Sequence, residues 1–580
     1  MNEEKLEIMR HSFSHVLAAA VKELWPEAKL AIGPAIDNGF YYDIDFGEAR
    51  VSDENFAVIE KKMRGLIARD LKFERSELPA GEAAAKEKKA GEVYKAELID
   101  DLVREGEKTV SYYAMGKFSD LCRGPHVEST GKLDASAFKL HKLAGAYWRG
   151  SEKNKMLTRI YGLAFASKSE LDLYLKMLDE AGKRDHKKLG PQLELFAFHE
   201  TAPGIPYWLP KGMIILNELI DFWRVEHRER GYQEIACPLV NKKELWEISG
   251  HWEHYKDDMF IADMGENEVY GIKPMNCPNA MVVFGLKTRS YRDLPLRLSD
   301  TDILHRYELS GTLNGLLRVR AFKQDDSHNF ITEDQIEEEY AQIFDIANKF
   351  YGIFNLEFKY RIGTRPEKFM GDEASWDKAE AALRRILAKT VGEGNYLVAE
   401  GDGAFYGPKV DIIMKDVLGR DWQMGTIQLD FQIPRRFNLT YADKDGKDKT
   451  PIVVHRVIYG SLERFIGIII EHYAGAFPLW LSPVQVKIVS VGEVHADHCR
   501  GLAREFEVQG IRTEVDDANE TVGNKIRKAV DEKVPYMLVI GDKEMNSANL
   551  AIRERGSRET REVGKQEFID DLVKKIKERR

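Results

Sequence analysis

Cys277, His328 and His455 set the hardest condition on how this chain can fold. Each sits in a distinctive segment: Lys273-Pro274-Met275-Asn276-Cys277-Pro278, Phe322-Lys323-Gln324-Asp325-Asp326-Ser327-His328, and His455-Arg456 shortly before Gly460-Ser461-Leu462-Glu463-Arg464. One thiolate and two imidazoles suit Zn²⁺, and three protein ligands leave a fourth coordination position open. If the three act together, the fold must carry three distant segments to one point. Singly, a Cys or His is more often just a core or surface residue, because free Cys is commonly buried for packing alone. The surrounding segments have to decide.

At 580 residues the chain is too long for one core, and its length suggests about three to five domains. With 43% hydrophobic and 31% charged residues it has the composition of a globular protein. No apolar run approaches the roughly 18 residues of a membrane span, and the polar first ten residues lack a secretory h-region. Four scattered cysteines fit a reducing compartment rather than a disulfide framework, so a cytoplasmic enzyme without a membrane partner is expected. The net charge of −10 does not advertise nucleic-acid binding, and residues 484–580 are balanced at 19 basic against 19 acidic. Any RNA contact must use local patches.

The N-terminal region opens with a helix-like run over residues 5–24, in which His11 and His15 share a face at i, i+4. Residues 81–97 are rich in Ala, Lys and Glu and read as a solvated helix without chemistry. The charged stretch 182–188 reads as a linker helix or boundary. Residues 213–229 form an amphipathic helix ended by Gly231, and residues 235–239 a short strand. Pro451 leads the β-branched run Ile452-Val453-Val454-His455, a strand, and a helix begins near Ser461. Past Pro483 the rhythm changes: strand 484–491, helix 495–509, strand 511–515, helix 521–532, strand 536–540. That alternation implies a compact α/β unit on a parallel or mixed sheet.

Three further patterns carry chemistry. His305-Arg306-Tyr307-Glu308, a loop, then Arg318-Val319-Arg320-Ala321-Phe322 offers a planar arginine clamp for carboxylate or phosphate, a paired Glu and a stacking aromatic. Gly460-Ser461-Leu462-Glu463-Arg464 places small residues at a strand-to-helix junction, where a ligand can approach. Gly231-Tyr232-Gln233-Glu234-Ile235-Ala236-Cys237-Pro238 is a helix end, strand and proline. These resemble motifs 2, 3 and 1 of class II aminoacyl-tRNA synthetases. With the zinc segments, the chain resembles the threonyl-tRNA synthetases from His11 to the C-terminus.

The resemblance implies an α+β multidomain protein: an N-terminal α+β editing domain with linker helix (1–184), a class II antiparallel-sheet catalytic domain (185–483) and a C-terminal α/β anticodon-binding domain (484–580), with motif 1 building a homodimer. It implies that threonine and ATP, with Mg²⁺, give threonyl-adenylate, and that the threonyl group passes to tRNA(Thr). Arg306 then binds the α-phosphate and the amino-acid carboxylate, Glu308 meets the adenine amino group, and Phe322 and Arg464 stack on the ring. Gln324, Asp326, Tyr406 and Gln428 line the threonine pocket, beside one zinc ion on Cys277, His328 and His455.

Threonine and valine are nearly isosteric, and shape alone separates such a pair by only about 10². A metal with an open position can inspect the hydroxyl that valine lacks. Serine passes that inspection, and its missing methyl is worth only about 1–3 kcal/mol, so a second, hydrolytic site is expected. His11-Ser12-Phe13-Ser14-His15 and Asp120-Leu121-Cys122-Arg123-Gly124-Pro125-His126 supply candidates. His-x3-His with Cys-x3-His has the ligand types of a closed structural zinc site; the pattern equally resembles the family's editing domain, which clears seryl-tRNA through His11, His15, Asp120, Cys122 and His126, with metal use open. At the far end Glu544 and Arg553 match the family's anticodon contacts, Glu accepting from a base amino group and Arg pairing with a guanine edge; a solvated charge pair at a strand edge is the bland alternative. Many members carry a ubiquitin-like β-grasp domain ahead of the editing domain, and that domain is expected to be absent here. A non-catalytic RNA-binding paralogue would be expected to lose an arginine of the clamp or a zinc ligand, and a freestanding deacylase would need neither motif 2 nor motif 3.

Overall fold

The structure is a computed structural model, and it describes residues 3–266, 268–417 and 419–580. The chain divides into two compact units, Met1–Asp179 and Glu180–Arg580. No helix among the described residues is long and apolar enough to cross a membrane.

In the first unit, helix α1 (Glu3–Leu24) has acidic residues in its first turn and Lys22 in its last, matching the helix dipole. It buries Phe13, Val16, Leu17 and Ala20 against Phe40 of β1 (Gly39–Asp45) and Phe138 of β5 (Phe138–Tyr147). Burying one such side chain is worth about 1.5–3 kcal/mol. Strand β6 (Met156–Ala164) runs antiparallel between β1 and β5, and α2 (Phe56–Ala68) adds Ile59 and Met63 to the same core. A second antiparallel sheet has the order β2-β3-β4, from Phe73–Pro79, Thr109–Met115 and Phe118–Leu121. The sequence expectation of one solvated helix over 81–97 is corrected here. Gly91, in the left-handed conformation at φ 74°, ends α3 (Ala80–Ala90), and α4 (Val93–Arg104) follows. Ala83, Glu87, Tyr94 and Lys95 are buried: Ala83 packs with Tyr112 of β3, whose hydroxyl donates to Glu87, Tyr94 reaches Asp45 of β1, and Lys95 lies between the Tyr42 hydroxyl and Asp120.

The second unit is built on a mainly antiparallel sheet. In chain order its eight strands among the described residues include β7 (Gln233–Glu234), β8 (Leu296–Asp300), β11 (Asp326–Ile331), β12 (Phe358–Gly363) and β13 (Leu397–Ala399). The remainder are β14 (Lys409–Lys415), β15 (Asp421–Asp430) and β16 (Ile452–Val457). Their order is β7-β8-β11-β16-β15-β14-β12-β13. A separate antiparallel hairpin pairs β9 (Ile303–His305) with β10 (Ala321–Lys323). Helices α6 (Pro210–Glu229), α8 (Ile336–Ile353), α9 (Glu373–Val391) and α10 (Leu462–Tyr473) pack their apolar faces into one core with the sheet, through residues such as Leu219, Phe350, Leu383 and Ile469. Short helix α5 (His186–Gln192) and helix α7 (Cys277–Gly285) belong to the same unit.

Residues 235–239 are not the strand their apolar character suggests; the strand ends at Glu234, with the Ile235 N–H still donating to Ser299 O of β8 at 2.8 Å. Pro238 brings no donor to a ladder, and the Cys237 N–H goes to the Asp302 carboxylate at 2.7 Å. The C-terminal rhythm is as read. The sheet order is β18-β17-β19-β20-β21, from Thr513–Asp516, Val486–Ser490, Tyr536–Ile540, Asn549–Glu554 and Thr560–Gly564. The β17 strand pairs parallel with β18 and β19, while β20 and β21 join antiparallel.

Candidate functional site

Strand register does the first part of building the site. His455 of β16 lies opposite both His328 of β11 and Gln428 of β15, and Gln428 lies opposite Lys409 of β14. Directly opposed residues project to one face, so one row across the sheet carries two imidazoles and an amide. Asp326, two residues before His328, shares that face. Cys277, at the start of α7, completes the set. The ligand atoms of Cys277, His328 and His455 all lie within 4.8 Å of one another, and all three residues are buried.

The tautomers can be read from the partners. Nε2 of His455 is 2.9 Å from Oδ2 of Asp430; a carboxylate accepts, so this nitrogen carries the proton and Nδ1 is bare. Nδ1 of His328 is buried without a protein partner. Burial, reinforced by Asp326 and Asp430, pushes the Cys277 thiol well above its usual range. A thiol so placed yields its proton to a bound cation. Soft sulfur, bare imidazole nitrogen and an orphaned polar atom together fit Zn²⁺.

A cavity of about 540 Å³ opens over this trio and is lined by Arg306, Glu308, Phe322, Gln324, Asp326, Tyr406, Gln428 and Arg464 as well. The structure thus brings together every residue the sequence assigned to the nucleotide and amino-acid pockets. The Arg306 guanidinium lies 5.1 Å from the Phe322 ring centroid, and its Nε donates to Pro274 O at 3.3 Å. Glu308 accepts from Arg318 Nε at 2.9 Å, so this acid pairs with Arg318 of the same motif. Tyr406 donates to Gln428 Oε1. Burial raises Asp326 to about 6, opposed by the Asn276 amide, and lowers the Arg464 guanidinium, aided by nearby Arg318 and Arg306.

The first unit holds a second cluster. Ligand atoms of His11, His15, Cys122 and His126 lie within 4.8 Å of one another. Nε2 of His11 and Nε2 of His126 each approach Cys122 Sγ at 3.3 Å. Nδ1 of His11 meets the Pro125 carbonyl at 3.2 Å, which only accepts. Ser12 gives its proton to Ile8 O, so Nδ1 of His126 donates to Ser12 Oγ at 3.1 Å. Both rings therefore turn a bare Nε2 toward one sulfur. Burial lowers His11 and His15, drives His126 down to about 2 and raises the Cys122 thiol to about 11. Asp120 is buried beside them, bonded to the Tyr42 hydroxyl and to Lys95 Nζ at 2.7 Å.

Three family descriptions match the chain: "tRNA synthetase class II core domain (G, H, P, S and T)" over residues 260–473, "Anticodon binding domain" over 485–576, and "Threonyl and Alanyl tRNA synthetase second additional domain" over 110–161. The threonine–tRNA ligase of Acetivibrio thermocellus is 52% identical over 569 residues, spanning 98% of this chain and 88% of the relative. That of Clostridium tetani is 50% identical, spanning 100% and 89%. The chain belongs to the threonine–tRNA ligases. A crystal structure of the RNA-binding domain of threonyl-tRNA synthetase from Cryptosporidium parvum is similar with a TM-score of 0.65 and 41% identity, covering 67% of this chain and 98% of that one.

Within this threonine–tRNA ligase fold, several residues escaped the sequence reading. Lys95, placed in a stretch read as free of chemistry, is buried against Asp120. His251 sits 3.6 Å from Cys277 Sγ through Nε2, with Nδ1 on Ser249 Oγ at 2.8 Å. Burial, with His455 and Arg306 nearby, drives His251 down to about 3. The segment Ser249-Gly250-His251-Trp252 carries no pattern that would have singled this histidine out. At the far end, Glu544 accepts from Gly541 N at 3.1 Å and Arg553 Nε donates to Ser557 O at 2.9 Å.

Proposed function

We propose that this chain carries out its family's reaction, threonine and ATP giving threonyl-adenylate and then threonyl-tRNA(Thr), with Cys277, His328 and His455 holding one zinc ion in the pocket. Zinc, when bound, supplies an open coordination position for the amino and hydroxyl groups of threonine. Asp326 accepts from that hydroxyl, and Gln324, Tyr406 and Gln428 close the pocket around it. Arg306 binds the α-phosphate and the carboxylate, neutralising the charge that grows as the adenylate forms. Glu308 takes the adenine amino group, and Phe322 and Arg464 flank the ring; Mg²⁺ accompanies the ATP.

In the first unit we assign His11, His15, Asp120, Cys122 and His126 to the hydrolysis of seryl-tRNA(Thr). Two bare Nε2 atoms beside a neutral thiol form a polar nest that can accept from a water placed against the ester. Residues 1–184, 185–483 and 484–580 serve as the editing, catalytic and anticodon-binding domains, with Glu544 and Arg553 reading bases. The chain works as a cytoplasmic homodimer through motif 1.

The convergence of the Cys277 trio with Arg306 and Arg464 around one cavity carries the reading. ATP–pyrophosphate exchange with threonine, serine and valine tests it. Exchange should be strong with threonine, weaker with serine and absent with valine, and zinc should copurify at one per chain. Equal exchange with valine would refute the hydroxyl inspection.

A further inference from the structure

Two backbone carbonyls hold the side chain of Arg464. Its Nε donates to Leu317 O at 3.0 Å and its Nη1 to Gln423 O at 3.1 Å, and its guanidinium faces the Trp422 ring at 5.8 Å. An arginine has five N–H donors in a rigid fork, so these two bonds fix its plane and leave the rest for a ligand. The carbonyls come from separate places, the turn before β10 and the strand β15. Both are anchored from behind by one carboxylate, Glu471, seven residues along α10 from Arg464 and so on the same helix face.

The first arm runs through His186. Glu471 Oε1 is 2.7 Å from Nδ1 of His186, and Nε2 of that ring is 3.1 Å from the backbone nitrogen of Leu316, next to Leu317. A backbone N–H can only donate, so Nε2 is bare and the ring proton sits on Nδ1, directed at Glu471. The turn passes close to the ring because it has Gly315 there, at φ 52°; a Cβ would lie 2.2 Å from Nε2. The second arm runs through Arg420. Glu471 Oε2 accepts from Arg420 Nη2 at 3.0 Å. Arg420 Nε then bonds Asp416 Oδ2 at 2.6 Å, which also accepts from Trp422 Nε1 at 2.7 Å. Trp422 immediately precedes Gln423. Asp185, His186 and Glu471 are spaced to suit a cation, but both nitrogens of His186 are already engaged, so the group is a hydrogen-bond relay and not a metal site.

We propose that Glu471, with His186 and Arg420 as its two arms, is a positioning device that sets the plane of Arg464 for nucleotide binding. None of the three lines the cavity; they act through the carbonyls of Leu317 and Gln423. The proposal rests on the reading of Arg464 as a nucleotide contact.

The test is ATP–pyrophosphate exchange by the full chain, with KM measured separately for ATP and threonine. His186→Leu should raise KM for ATP about tenfold while KM for threonine stays within about twofold, since misplacing a binding group by a fraction of an ångström has effects of this order. His186→Gln, whose amide oxygen reaches where Nε2 lies and keeps the bond from Leu316 N, should recover part of the loss, and His186→Asn, which reaches only toward Glu471, should recover less. Arg420→Ala removes a partly exposed arm and should raise KM for ATP about threefold. If His186→Leu fails to fold by thermal melt, Arg420→Ala and Glu471→Gln give the same reading. Equal losses toward ATP and threonine, or no advantage of Gln over Asn, would overturn the relay. Arg464→Ala separates the two ideas. If it leaves KM for ATP unchanged, the reading of Arg464 is wrong; if it raises it and the arm variants do not, the relay alone is wrong.

Discussion

The two donor clusters use the same residue types in different settings. Cys277, His328 and His455 are all buried, the cysteine at the start of α7 and the two histidines on strands whose register fixes them side by side. His11, His15, Cys122 and His126 come from one helix and one loop, and only His15 among them is fully buried. In the first cluster a carboxylate fixes a ring through a 2.9 Å bond from His455 to Asp430. In the second, main-chain and serine oxygens orient the outer rings, while the acid, Asp120, is 3.9 Å from His15 and pairs with Lys95. Carboxylate support raises the basicity of a ligand and suits a held metal. Support by neutral oxygens with a cation nearby keeps the rings neutral and suits handling of a water.

The strongest way to break this contrast is Cys277→Ser. Zinc content and threonine-dependent exchange should fall together, by about 10³-fold or more for exchange, if the metal provides most of the substrate's orientation. Deacylation of seryl-tRNA by the same variant should be unchanged. Loss of both activities in parallel would collapse the two sites into one.

Next in size is Lys95→Met. The pair with Asp120 is buried on both sides, and removing one partner of a buried ion pair costs about 3–5 kcal/mol. The expected result is a lowered unfolding transition for the first unit, read by calorimetry, with threonine activation by the folded fraction retained. An unchanged transition would mean that Asp120 is satisfied without the lysine.

The fold was legible wherever period and punctuation agree. The β-branched run ending at His455 and the strand–helix rhythm after Pro483 needed no tertiary information. That the residues around the Cys277 trio line one cavity was legible because they sit in long specific segments. Lys95 was not, since it stands among Lys86, Lys88 and Lys89 in a helical stretch whose composition gives no sign of which lysine turns inward. His186 was hidden in a charged run for the same reason. Asp430 and Glu471 support other side chains across the fold, and spacing along a chain carries no trace of such pairings.

A third prediction concerns pH. His11, His15 and His126 all have their proton affinity lowered by burial in the first unit. The unfolded chain binds these protons near pH 6.5 and the folded unit does not, so stability is full above about 6.5 and is lost as pH falls below it. His126, driven down to about 2, costs about 2 kcal/mol between pH 6.5 and pH 5, and His11 and His15 add to the loss in the same direction. The first unit's transition should drop over that interval, and His126→Asn should flatten the drop by about its own share. A pH-independent transition would show that the cluster accepts protons without cost.

The mildest change is the sharpest test of how the clusters differ. Asp430 accepts from Gln432 N at 2.7 Å and Ile433 N at 3.0 Å through Oδ1, and from His455 through Oδ2. In Asp430→Asn the two backbone donors hold the amide oxygen, so the new NH₂ faces Nε2 of His455, donor against donor. The ring must then move its proton to Nδ1, where a metal needs a lone pair. Losing such a supporting carboxylate typically costs 10- to 100-fold in metal affinity, measured here by chelator competition. Asp120→Asn offers no such inversion, because His15 is too far from that acid for a hydrogen bond. Zinc affinity that falls in Asp430→Asn, beside tautomers of the first-unit histidines that stay fixed in Asp120→Asn by nitrogen NMR, would establish that only the Cys277 cluster is tuned through an acid.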